Sequence, residues 1–137
     1  MTTRRRRSPA TPTRRNRVAE RLPTPVSFKD IREIAHALPG VEDGTSYGTP
    51  ALKVRGKLLA RLHQTMECLV LRADFVDRQI LMQSAPDTFF ITDHYRDYPW
   101  ILVRFSAVEK RALPDLIERA WRLMAPRAML AKYDAQR

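Results

Sequence analysis

Two runs of the 137-residue chain, 38–50 and 92–100, gather the side chains that could do chemistry. Together they hold three of the four glycines, three of the four tyrosines and one of the two tryptophans. Glycine sets unusual backbone geometry, while tyrosine and tryptophan offer flat contact faces, so loops of this content carry function more often than plain polar loops. Asp93-His94 invites an acid–base reading, because histidine titrates near neutral pH. A single loop histidine, however, satisfies few of the geometric roles of a catalytic site, and the spacing implies neither a Ser-His nor a Cys-His pair. No catalytic residue is therefore assigned. His36, His63, His94 and Cys68 lack ligand spacing, and no acidic cluster suits a hard cation, so neither a metal nor a cofactor is expected. Residues 46–50 lack the spaced glycines and the lysine of a phosphate loop. What remains is a candidate loop site of Tyr47, Asp93, His94, Tyr95 and Trp100, open to a small molecule or to stacked bases. The same aromatic residues also read as pins that hold the loops on their own sheet. Tyr98 and Trp100 could equally anchor a protein partner, whose identity the sequence does not give.

The second candidate chemistry is electrostatic. Lys53, Arg55, Lys57, Arg61 and Arg72 fall on or near one side of a run of short strands, and Arg104 joins them if its strand is central. A sheet face lined by cations beside a basic hairpin tip could track a phosphate backbone. The ordinary solvent face of a half-buried sheet would look the same. Net charge is +10, but its distribution matters more than its size. Residues 1–22 carry eight arginines against Glu20 alone, or +7, which leaves +3 for the rest. The arginine-rich segment would attract DNA, RNA or anionic lipid, or simply keep the chain soluble.

These residues need elements to position them. Residues 1–25 offer little to bury and are expected to be a disordered tail, with one domain over 26–137. Ser27 reads as an N-cap, and Phe28, Ile31, Ile34, Ala35 and Leu38 follow helical spacing up to the Pro39-Gly40 stop. After the first run the period becomes two. Leu52 and Val54 alternate with Lys53 and Arg55, and Arg55-Gly56 is a tight hairpin turn. Leu58, Ala60 and Leu62 are expected to face away from Leu59, Arg61 and His63. Residues 64–66 make a second turn and 67–72 a third strand. Asp74 caps a helix that stops before Pro86, short strands follow at 89–91 and 100–105, and a last helix carries Pro114 in its first turn. Pro126 restarts a short helix. This pattern predicts an α+β fold of two layers, an antiparallel sheet with helices on one face. No apolar run reaches the roughly 20 residues of a membrane helix. The N-terminus has charge but no apolar core after it, so a secretory signal is not expected, while its arginine and serine content leaves a transit peptide open. The lone cysteine suits a reducing compartment, and a cytoplasmic protein with no membrane contact is expected.

Residues 38–42, 46–50 and 54–60 resemble the front half of the MmcQ/YjbR-like proteins. Residues 92–95 and 98–103 resemble their back half, and Ala120-Trp121 and Ala125-Pro126 match in kind. The resemblance runs from residue 28 to about 134. It implies a frataxin-like (CyaY-like) fold and a double-wing DNA-binding motif, with the wings at Arg55-Gly56 and at residues 64–66. On this resemblance DNA is the expected partner, contacted at phosphates by Lys53, Arg55, Lys57, Arg61, Arg72 and Arg104. Frataxin-like iron binding does not transfer, because Asp30 and Glu33 are interspersed with Lys29 and Arg32.

Overall fold

A computed structural model describes residues 25–137, so the arginine-rich segment expected to be disordered lies outside the described residues. The first helix, α1 (Phe28–Ala35), starts where the Asp30 carboxylate accepts the Ser27 backbone N–H at 2.9 Å. It buries Ile31 and Ala35 and ends in a tight turn before Gly40. Four strands then form a meander: β1 (Val41–Ser46), β2 (Thr49–Val54), β3 (Lys57–Leu62) and β4 (Cys68–Arg72). Helix α2 (Phe75–Ser84) follows, its N-terminus closed by Asp74 Oδ1, which accepts the Asp77 N–H at 2.7 Å. The chain continues through β5 (Phe89–Phe90), a 3₁₀ turn (Asp93–Tyr95) and β6 (Trp100–Arg104). It finishes with α3 (Leu113–Arg122), which has Pro114 in its first turn, and α4 (Arg127–Ala135), which starts after Pro126.

The strand order is β1-β2-β3-β4-β6-β5, and every pair is antiparallel. All the helices pack on one face. Ile31, Ala35, Leu113, Ile117 and Trp121 meet Leu52, Val54, Leu69, Ile101 and Val103 in the main core. The two-layer α+β arrangement is thus the one the periodicity predicts. A smaller cluster of Cys68, Val70, Tyr95 and Leu102 lies on the opposite face, where the 92–99 segment folds back over the sheet.

Two features depart from expectation. Residues 41–46 form an edge strand rather than a loop. Its Gly44 and single apolar residue, Val41, disguise a segment whose backbone pairs fully with β2. The second feature is a bulge. Leu52 pairs with Ala60 but Lys53 pairs with Leu58, so Leu59 is an extra residue in β3. Leu59 and Ala60 therefore both reach the main core, and Leu58 turns to the opposite face.

Both hairpins at this edge close on two-residue turns with left-handed backbone: Tyr47 (φ 53°) and Gly48 (φ 75°), then Arg55 (φ 55°) and Gly56 (φ 79°). These dihedral signs are those of the type I′ turn, whose twist suits a two-residue hairpin. Glycine occupies the second position without cost. The first position favours asparagine, aspartate or glycine, and an ordinary side chain there costs about 1 kcal/mol. The fold carries that cost twice, at a tyrosine and at an arginine.

Candidate functional site

The face of the sheet away from the helices is where the predicted site residues gather. Cross-strand partners share a face, and the rows Ala51–Arg61–Val70–Leu102 and Arg72–Trp100 lie on this one. Three of the six cations expected to contact phosphates make side-chain contacts within the protein, and of these Arg61 alone is buried. Arg61 is only 3% exposed. Its Nη2 donates to Tyr95 Oη at 2.7 Å, its Nη1 donates to Gln64 Oε1 at 2.7 Å and the Leu62 carbonyl at 3.3 Å, and Tyr47 covers it at 4.9 Å. Arg72 donates to the Leu58 carbonyl at 3.0 Å and stacks 4.5 Å from the Trp100 ring. Arg104 donates to the Asp87 carbonyl and lies 3.9 Å from the Phe90 ring. Alternation sends each of these side chains to the outer face, as expected. It does not reveal that the 92–99 segment and its aromatic neighbours would cover that face.

Lys53, Arg55 and Lys57 remain at the edge. Arg55 and Lys57 are exposed at the β2–β3 tip, and neither takes part in an ion pair among the described residues. Lys53 is half-buried, faces Glu42 across the β1–β2 pair and lays its aliphatic stem over Gly44.

The two dense runs do come together. The Tyr47 turn and the 92–100 segment flank a cleft of about 320 Å³. Leu58, Val70 and Trp100 supply apolar wall, Tyr47, Tyr95 and Tyr98 supply aromatic wall, and Arg61 and His94 supply polar groups. The His94 ring meets Tyr95 edge-on at 4.8 Å. Asp93 does not join the cleft. It is 92% exposed and pairs with Arg96. Asp93 is thus engaged by Arg96 and not by its neighbour His94. Burial pushes the Cys68 thiol up to about 11, so it is a poor nucleophile. Burial also raises the Tyr95 phenol above its ordinary value, against the opposing pull of Arg61. Among the described residues no group of three or more His, Cys, Asp or Glu could hold a metal.

One residue that shapes the site escapes the sequence pattern. Arg78 on α2 is 8% exposed and donates to four backbone carbonyls: Tyr95 at 3.0 Å, Tyr98 at 2.8 Å, Trp100 at 3.1 Å and Arg96 at 2.8 Å. It ties the 92–100 segment to the helix layer. Its only legible signal is position. An arginine falls on the stripe of Phe75, Leu81, Met82 and Ala85, where an apolar residue belongs.

The turn at 63–67 is held differently. His63 Nδ1 accepts the backbone N–H groups of Thr65 and Met66, each at 3.1 Å. An accepting Nδ1 carries no proton, so the folded state favours neutral imidazole. Burial, reinforced by the charges of Arg61 and His94, accordingly holds the His63 pKa below its ordinary value. A histidine with a depressed folded pKa contributes stability that is complete above the unfolded value. That stability is lost as pH falls through about 6.5 toward the folded value. The thermal midpoint should therefore begin to fall near neutrality, before the carboxylates titrate. His63→Asn, whose Oδ1 can replace Nδ1, should flatten this limb. Both other histidines remain in the variant, so equal slopes in the two proteins would place the pH dependence elsewhere.

No helix among the described residues is long and apolar enough to cross a membrane. Comparison with known proteins agrees with this architecture. The chain is 36% identical over 53 residues to the uncharacterized protein Rv2570 of Mycobacterium tuberculosis and, equally, to the uncharacterized protein Mb2600 of Mycobacterium bovis. The match covers 39% of this chain and spans only 41% of the length of those relatives. The fold is similar to the crystal structure of Deinococcus radiodurans protein DR2400, of domain family DUF419. That likeness has a TM-score of 0.64 and 21% identity, over 78% of this chain and 85% of that one. The sequence profile of YjbR matches residues 36–123, which take in the whole sheet, the cleft and helices α2 and α3, and the chain belongs to the YjbR family.

Proposed function

We propose that this protein binds duplex DNA without sequence specificity, through the β2–β3 hairpin wing. One observation carries the reading. Arg55 and Lys57 project at an exposed tip with no ion pair among the described residues, and Arg55 does so from a left-handed backbone position. A strained arginine where asparagine would be easier points to a role outside the fold. Lys53 lies behind the tip and is partly offset by Glu42. The second wing suggested by the family resemblance, at residues 64–66, carries Gln, Thr and Met and adds no charge. The folded part thus offers two or three phosphate contacts, not six. Phosphate contacts position a protein on the duplex without reading bases, so binding is weak and nonspecific.

Arg55→Asn with Lys57→Ala tests this without harming the turn, because asparagine favours the first I′ position. The double variant should weaken duplex binding and reduce the salt slope by about two, near 0.9 for each lost contact. Arg104→Ala should leave the slope unchanged, since that guanidinium is held against Phe90 and Asp87. A slope that responds to Arg104 and ignores Arg55 and Lys57 would refute the wing as the contact surface.

A further inference from the structure

The cleft beside the wing has a different chemistry, and its floor poses an electrostatic problem. Arg61 and Arg78 are the two buried arginines among the described residues. Arg78 is satisfied by four carbonyls aimed at it. Arg61 has one carbonyl at 3.3 Å, the amide oxygen of Gln64 and the neutral phenol of Tyr95. These contacts leave its Nε–H and one Nη2 hydrogen without a protein acceptor among the described residues, and it forms no ion pair there. A desolvated cation with donors to spare and no counter-charge is costly unless an anion arrives. Arg61 lines an open cleft rather than lying in the sealed core.

We propose that this cleft binds a small aromatic carboxylate, with its carboxylate on Arg61 and its ring against Tyr98 and Trp100. Two features of the walls set the class. Arg61 is the one Arg or Lys that lines the cleft, so a single, diffuse negative charge is matched and a compact phosphate dianion is not. The rest of the lining is aromatic and aliphatic, which rewards a flat ring. Tyr47 forms the outer wall of the site. Its ring lies over the Arg61 guanidinium at 4.9 Å, yet the residue is 77% exposed on a two-residue turn. It caps the guanidinium, and the ligand would displace it. This accounts for the second strained turn: the left-handed position aims Tyr47 over Arg61 at the same cost that Arg55 incurs at the wing.

Titration of the full chain with benzoate, with benzyl alcohol and inorganic phosphate in parallel, tests the assignment by amide NMR shifts. Benzoate should give saturable shifts at Arg61, His94 and Trp100, at least tenfold tighter than benzyl alcohol or phosphate. Arg61→Lys keeps the charge and should retain part of the affinity, whereas Arg61→Met should lose it. Tyr98→Ala removes a ring that is 57% exposed and whose hydroxyl has no hydrogen-bond partner among the described residues, so it weakens binding with the fold intact. Equal affinity for benzoate and benzyl alcohol, tighter binding of phosphate, or full benzoate binding in Tyr98→Ala would each overturn the proposal. The Arg55 and Lys57 variant should bind benzoate normally, so this proposal and the DNA reading fail separately.

Discussion

Trp121→Ala should cost about 4–5 kcal/mol, the largest loss expected of any single substitution here. The ring is fully buried among residues of α1, α3 and the sheet. Truncation of a buried tryptophan removes its transfer energy and leaves a cavity that neighbours fill only in part. Two further losses accompany it. Trp121 Nε1–H donates to the Pro39 carbonyl at 2.9 Å, which would be left without its donor. Tyr133 packs its edge on the indole at a centroid distance of 4.9 Å, and through it α4 is held to α3. The corner at 36–40, α3 and α4 therefore loosen together. Domains of this size are stable by about 5–15 kcal/mol, so the variant should retain little margin, with a thermal midpoint lowered by roughly 15–20 °C. Trp121→Phe keeps the aromatic packing, loses the hydrogen bond and should cost about 1–2 kcal/mol. Urea unfolding followed by circular dichroism checks both. A loss below about 1 kcal/mol for the alanine variant would mean that the helix layer does not depend on this residue.

Arg78→Met should cost about 3–4 kcal/mol and, unlike the tryptophan variant, should act locally. Four carbonyls of the 92–100 segment share this guanidinium, and a thioether offers them no donor. Water can reach some of them once the segment lifts, which keeps the cost below the sum of four charged hydrogen bonds. The lifted segment carries Tyr95 and Tyr98 with it, so the cleft should open as the variant is made. Amide exchange should accelerate at Tyr95 and Tyr98, whose N–H groups bond to Thr92 and Tyr95 carbonyls, while β2 and β3 stay protected. Arg78→Lys should recover only a fraction, because a point ammonium cannot span four acceptors in a planar fork. Uniform loss of protection across the sheet would show that Arg78 holds the whole fold rather than one segment.

Much of this architecture was legible from local chemistry. The Asp74 cap, the Arg55-Gly56 turn, the alternation of β6 and the Pro114 start of α3 each rest on a few adjacent residues. What escaped depends on contacts between distant segments. An edge strand with one apolar residue shows no period of two, so β1 reads as a loop. One inserted residue, Leu59, reverses the facing of Leu58, and periodicity cannot locate a bulge. The site was legible as two runs but not as a cleft. Arg61 on a strand reads as solvent-facing until Tyr95, 34 residues away, is laid over it. Neighbouring strands do the same for Arg72 and Arg104, which stack on Trp100 and Phe90. Counting charges does not separate these stacked cations from Arg55 and Lys57, on which the proposed wing rests.

The salt dependence of duplex DNA affinity, measured for the full chain and for a chain beginning at Pro25, decides whether the wing contacts nucleic acid. If the wing is a nucleic-acid surface, the shorter chain binds at low salt with a log–log slope of about −2 to −3, and the Arg55 and Lys57 variant of that chain loses most of it. If the shorter chain shows no binding at low salt, or binds with a slope its wing variant leaves unchanged, the β2–β3 hairpin does not contact DNA.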